Sequence, residues 1–164
     1  MFRSDGPAIA RRAGMIALGL MAGLLSATVA QAQAPAQQAQ GVSAPRLFPN
    51  DGGMILIFIK PDKTADFEMV MGKLKEALMK SEKPERKQQA AGWKVFKSPD
   101  PAGANTLYVF VIDPSLKGAD YQVSNIIAEA FPPAEANDIL KKYADAFAQG
   151  MNIVNLNMIQ DLGK

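Results

Sequence analysis

The sequence predicts an α+β fold, because short strand-forming runs alternate with longer segments whose apolar residues recur at helical spacing. Residues 54–59 and 106–112 are nearly continuous apolar runs, rich in β-branched and aromatic residues, and each has the length of one strand. Two further strands are expected at residues 92–97 and 152–159. Proline and glycine between these segments supply the breaks, and residues 98–103 are typical of a turn.

Three helices are expected between the strands. The first can be capped by Asp62 or Thr64. Its apolar residues recur every three or four positions, with lysines on the other side: Phe67, Val70, Met71, Leu74 and Leu78. The second covers residues 120–131. Pro133 suits the first position of a third helix, which Gly150 can terminate.

The resulting order, β-α-β-β-α-α-β, is a ferredoxin-like pattern: a four-stranded antiparallel sheet with helices on one face. In that topology the first and third strands are central, and here they are the most apolar. The second strand carries Lys94 and Lys97, and the fourth carries Asn155 and Asn157, as edge strands should.

Both faces of the predicted sheet are apolar. Alternate residues of the central strands point to opposite faces, yet Leu56 and Phe58 are as apolar as their neighbours, and Tyr108, Phe110 and their neighbours repeat the pattern. A sheet with helices on one face should have a polar second face. The second face is therefore expected to meet another copy of the chain, a ligand, or both.

The first 30 residues are typical of a secretory signal peptide. Arg11 and Arg12 precede an uncharged run at 13–30, and small residues give cleavage sites after Ala30 or Ala32. The alternative is a retained membrane anchor, but the run is short and diluted by Gly and Ser. We expect a periplasmic or secreted protein that has no membrane association after cleavage.

Residues 31–47 form an Ala, Gln and Pro linker that we expect to be disordered, since it has no apolar periodicity. The folded domain is expected at residues 48–164. The chain has 18 basic and 16 acidic residues, of which the first 30 residues hold three Arg and one Asp. The mature chain is therefore close to neutral, and no nucleic-acid partner is expected.

Two residue types are missing. The chain has no Cys and no His, which removes thiol nucleophiles, Ser-His-Asp triads and the commonest ligands of zinc and haem. We expect no cofactor and no specific metal site. Copper binding by methionine is a weak third possibility, because only Met69 and Met71 are closely spaced outside the core pattern.

Two segments carry a resemblance to a family. Residues 59–68, Ile-Lys-Pro-Asp-Lys-Thr-Ala-Asp-Phe-Glu, lead into the first helix, and residues 91–98, Ala-Gly-Trp-Lys-Val-Phe-Lys-Ser, form the second strand. Together they resemble the dimeric α/β-barrel superfamily, and in particular its antibiotic-biosynthesis-monooxygenase-like members. The resemblance spans residues 54–159 and implies a homodimer in which two sheets pack face to face. Its haem-degrading members use an axial histidine, which this chain lacks.

Four strand residues are candidates for a ligand site: Trp93, Tyr108, Asn155 and Asn157. Each also has an ordinary role in packing or on an exposed edge. The leading hypothesis is an exported homodimer that is non-catalytic and binds a small apolar ligand or presents an interaction surface. The alternative is a cofactor-independent monooxygenase-like enzyme for a small aromatic or apolar substrate. A buried polar group inside an otherwise apolar pocket would discriminate between the two hypotheses, and a polar, ligand-filled pocket near Trp93 or Tyr108 in a confirmed dimer would favour the enzyme.

Overall fold

The computed structural model describes residues 43–163, so the predicted signal peptide and the linker up to residue 42 lie outside the described residues. Two hydrogen bonds tie the beginning of the described chain to the domain. The backbone N–H of Ser43 donates to Asn125 (2.9 Å), and that of Arg46 donates to Asp120 (2.7 Å). The folded unit therefore extends at least to Ser43, five residues before the predicted boundary.

The predicted α+β fold with one four-stranded antiparallel sheet is confirmed. The strands are β1 (Gly52–Ile59), β2 (Trp93–Ala102), β3 (Asn105–Ile112) and β4 (Asn152–Leu156). The helices are α1 (Thr64–Lys80), α2 (Pro84–Gly92), α3 (Val123–Ala130) and α4 (Pro133–Ala146), with a 3-10 turn at Pro61–Lys63 before α1. The spatial order β2-β3-β1-β4 places β1 and β3 at the centre, which fits a ferredoxin-like layout.

Helix α2 is the one helix that the sequence pattern missed, and it changes the element order to β-α-α-β-β-α-α-β. Its buried residues include Arg86 and Gln89 instead of an apolar stripe. The Arg86 guanidinium donates to Glu129 of α3 (2.9 Å) and to the carbonyl of Asp120 (2.8 Å). Because polar side chains hold this helix in place, hydrophobic periodicity gives no signal for it.

Several predicted boundaries also shift, and helix α3 begins at Val123 instead of residue 120. Strand β2 continues through most of the expected turn to Ala102, with a pairing irregularity between Lys97 and Pro101. The chain reverses at Gly103, whose φ of 65° lies in the region that favours glycine. Helix α4 begins at Pro133 as expected but ends at Ala146, well before Gly150. Strand β4 ends at Leu156, three residues short of prediction.

The core lies between the helices and one face of the sheet. Ile55, Ile57 and Ile59 of β1 and the alternate residues of β3 are almost fully buried there. Phe67 of α1 packs on Phe110 of β3, with ring centroids 6.4 Å apart. This arrangement leaves the opposite face of the sheet without helices. On the covered face, Tyr108 and Trp93 lie towards opposite ends of the sheet.

Candidate functional site

The four candidate residues do not converge on one site. Trp93 and Tyr108 both belong to the helix-covered face, but Trp93 pairs with Ile112 and Tyr108 pairs with Lys97. That register separates them by four residues along the sheet, or about 13 Å. Asn155 is exposed on the edge strand β4, opposite Gly53. Asn157 follows β4 and accepts a hydrogen bond from the Asn50 side chain.

At one end of the sheet, Tyr108 belongs to a closed set of polar contacts. Its ring is buried, and its hydroxyl donates to Oε1 of Glu68 on α1 (2.6 Å). Nζ of Lys97 on β2 donates to the same oxygen (2.9 Å). Three elements, α1, β2 and β3, are thus connected through one carboxylate.

The pKa directions at this end follow from those contacts. Burial, together with donation to Glu68, raises the pKa of Tyr108 to about 12. The Tyr108 hydroxyl and then Lys97 lower the pKa of Glu68 below its usual value. Tyr108 therefore stays neutral and Glu68 stays ionised around neutral pH. A general acid or base works best with a pKa near the working pH, so these contacts fit a structural role.

A hollow lies beside the Tyr108 end of the sheet, but neither Tyr108 nor Glu68 lines it. It has a volume of about 570 Å³, and of the three residues only Lys97 lines it, together with residues of the β2–β3 hairpin. Of Tyr108, Glu68 and Lys97, a substrate in that hollow would contact only Lys97.

At the other end, Trp93 is buried in an aromatic cluster. Its ring meets Phe110 at 5.5 Å and Tyr121 at 5.4 Å, both edge-on. Its indole Nε1–H is buried and has no hydrogen-bond partner, and it is the one buried side-chain polar atom in the described chain without one. Such a group costs free energy, and each case in a folded protein requires an explanation.

Trp93 also lines a groove between α1 and the edge of the sheet. We call this the Trp93 groove; it has a volume of about 380 Å³ and is lined by Met71, Leu74, Lys75, Leu78, Met79, Ala90, Trp93 and Val95. Five of these residues are on α1, at the spacing i, i+3, i+4, i+7 and i+8 that forms one helix face. The groove is thus an apolar surface that carries one positive charge.

Sequence reasoning found Trp93 but missed Lys75. The predicted apolar stripe of α1 contains Leu74 and Leu78, with lysines on the opposite side. Lys75 lies at the border of the stripe, between Met71 and Met79 along the helix. Met71 and Met79 each lie four residues from Lys75, which places all three on one side of the helix. This spacing is the signal in the sequence that Lys75 lies beside an apolar surface.

The uncovered face of the sheet is the second candidate surface. We call it the open face. Its register places mostly apolar side chains together: Met54, Leu56, Phe58, Phe96, Leu107, Val109, Val111, Val154 and Leu156. Phe96 is 51% exposed, and Lys94 is the charged residue of this face within the paired strands. An apolar face on both sides of the sheet matches the pattern expected from the sequence.

No metal or membrane feature accompanies these surfaces in the described residues. Within residues 43–163, no three His, Cys, Asp or Glu side chains form a group that could hold a metal ion. None of the helices in that range combines the length and apolarity needed to cross a membrane.

The class of protein defined by the fold is an α+β protein with a ferredoxin-like layout, an apolar open face and an apolar groove at one sheet edge. Comparison with protein-family models, with curated proteins and with solved structures gives no match. Function must therefore be argued from the residues of this chain.

Proposed function

We propose that this chain is a non-catalytic binding module for small apolar ligands and that the Trp93 groove is its ligand site. The observation that carries this proposal is the buried indole N–H of Trp93 without a partner, on a residue that lines an otherwise apolar groove. Ligand sites commonly combine apolar walls with a few polar groups that fix orientation.

The energetics support a ligand. A buried donor without a partner costs about 1–3 kcal/mol, which the folded chain alone does not recover. A ligand that fills the groove removes its apolar walls from water. Met71 and Met79, which are flexible and polarisable, let the walls adapt to the ligand.

The cofactor-independent oxygenase is less well supported. Such an enzyme needs a group that takes a proton from its substrate, and Lys75 is the sole side chain lining the groove that carries charge. Tyr108 and Glu68 lie at the other end of the sheet and are bonded to each other. The resemblance to the dimeric α/β-barrel superfamily thus supports the fold and assembly more than the reaction.

We also propose that two copies pair through their open faces, as that superfamily implies. Eight residues of β1 and four strands give a face of about 500 Å² at standard strand spacings. Pairing two such faces buries about 1,000 Å² in total when each face is treated as flat. That area reaches the lower bound of specific interfaces. Export to the periplasm or medium is part of the proposal and depends on the signal peptide at residues 1–30.

Native mass spectrometry of the mature chain, purified from an exporting host, tests the binding function. We expect an N-terminus after Ala30 or Ala32, a dimer mass, and a retained small molecule that is lost on denaturation. Protein that is free of any small molecule, and that binds none of a panel of apolar compounds, would contradict the binding proposal. Turnover of such a compound with oxygen would favour the enzyme.

Phe58→Asp tests the dimer separately, because Phe58 lies on the open face whereas Phe110 lies in the core. We expect Phe58→Asp to give a folded monomer in sedimentation equilibrium. Leu47→Asp is the control, since Leu47 is 48% exposed and lies outside the sheet. Dimers of unchanged strength in both variants, or a wild-type monomer at micromolar concentration, would refute open-face pairing.

A further inference from the structure

We infer that the ligand of the Trp93 groove is an apolar carboxylate of about a dozen non-hydrogen atoms, with Lys75 as the residue that pairs with its charge. The inference rests on the proposed function and specifies its ligand class. It follows from the polarity of the lining, the ion pairs of the neighbouring lysines and the size of the groove.

The polar side-chain groups of the lining are all donors. Lys75 has an ammonium group and Trp93 has an indole N–H that is buried within the protein, so the ammonium group is the donor that a molecule in the groove meets. The other lining residues are Met, Leu, Ala and Val. No lining side chain is a carboxylate, hydroxyl or amide that would accept a hydrogen bond from them. The complementary molecule is therefore apolar, carries acceptor oxygens and is negatively charged.

The charge of Lys75 is open to a ligand. Its neighbours on α1 are already paired: Lys73 with Glu135 and Glu76, and Lys80 with Glu76. Lys75 makes no ion pair with any described residue and is exposed beside the apolar walls. Its helix position keeps the ammonium group near the groove while the stem contributes apolar surface.

The volume sets the size of the ligand. A groove of about 380 Å³ holds about a dozen non-hydrogen atoms, at about 30 Å³ for each such atom as in liquid water. Decanoate has that size and carries one carboxylate. Decanol matches the chain length and keeps an acceptor but has no charge, so the pair isolates the contribution of the negative charge.

Trp93 reports binding directly because it is the single tryptophan of the chain. The test titrates mature protein with decanoate and with decanol, below their aggregation concentrations, and follows tryptophan emission with calorimetry as a second readout. We expect decanoate to bind about two- to fivefold more tightly than decanol. Lys75→Met should abolish that preference, and Lys141→Met, an exposed lysine on α4, should keep it.

The outcomes separate the two proposals. Equal affinity for decanoate and decanol overturns the carboxylate inference and leaves the binding module standing. A preference for decanoate that survives Lys75→Met overturns the role of Lys75. If neither compound binds wild-type protein, and no other apolar compound does, the proposed function itself fails.

Discussion

Tyr108 and Trp93 lie on the same covered face of one sheet, yet the polar atom of Tyr108 has a hydrogen-bond partner and that of Trp93 has none in the described chain. The Tyr108 hydroxyl has Glu68 within 2.6 Å, and Lys97 completes the contact. The Trp93 indole N–H has no partner at all in the described chain. Both rings are buried, at 2% and 9% exposure, so burial does not distinguish them.

The two ends differ in whether the chain itself supplies a hydrogen-bond partner for the buried polar atom. At the Tyr108 end, donor and acceptor come from the chain itself, so these residues stabilise the fold. At the Trp93 end, a donor is buried beside an apolar groove and its cost remains. On the proposed function, the missing partner marks the Trp93 end as the ligand site, whereas the contacts at the Tyr108 end form a structural link.

The largest effect is expected from removing the acceptor at the Tyr108 end. Glu68→Ala leaves the buried Tyr108 hydroxyl without its partner and should lower the free energy of unfolding by about 1–3 kcal/mol. Urea denaturation at fixed protein concentration measures it. Glu82→Ala is the matched control, because Glu82 is exposed and makes no described ion pair. Equal stability of the two variants would show that the Tyr108 contact contributes nothing.

Smaller effects on stability are expected from removing the two donors, the Tyr108 hydroxyl and the Trp93 indole N–H. Tyr108→Phe should cost about 0.5–1.5 kcal/mol, since a satisfied hydrogen bond is lost while Glu68 regains water. Trp93→Phe should change stability by less than about 1 kcal/mol, because removal of the unpaired N–H offsets the smaller ring. The same denaturation experiment measures both. A Trp93→Phe loss above about 1.5 kcal/mol, beyond the range expected for Tyr108→Phe, would overturn the distinction between the two ends.

The last effect is a pH dependence that involves Tyr108 and the other two tyrosines. The pKa of Tyr108 is raised from its ordinary value of 10.0 to about 12 in the folded chain, so its stabilisation is complete below about pH 10 and is lost as pH rises through about 12. Burial raises the pKa of Tyr121 and Tyr143 as well. Alkaline absorbance titration should show that Tyr108 does not ionise near pH 10 in folded protein and that Tyr121 and Tyr143 ionise above their ordinary pKa.

Tyr108→Phe supplies the control for that titration. The ionisation step near pH 12 should vanish in this variant, while the remaining two tyrosines ionise as before. A native tyrosine that ionises near pH 10 in the wild type, and disappears in Tyr108→Phe, would show that the contact with Glu68 does not form in solution.

Local sequence patterns were enough for much of the fold. The apolar runs in β1 and β3 predicted the central strands, and Pro133 marked the start of α4. Helix α2 was not predicted because polar contacts hold it in place. Arg86 donates to Glu129 and to the carbonyl of Asp120, and Gln89 donates to the same carbonyl. These partners are distant in the sequence. A polar helix of this kind has no periodic signal that a window of residues could detect.

The sequence by itself determined the apolar character of both sheet faces, since that depends only on alternation within each strand. It also named Trp93 and Tyr108 as distinctive residues. Only the tertiary structure decided that Tyr108 meets Glu68, 40 positions away, while Trp93 meets no acceptor in the described chain and shares a groove with Lys75. The physical reason is that a hydrogen bond depends on which distant groups the fold brings within about 3 Å, and residue type alone does not specify that distance.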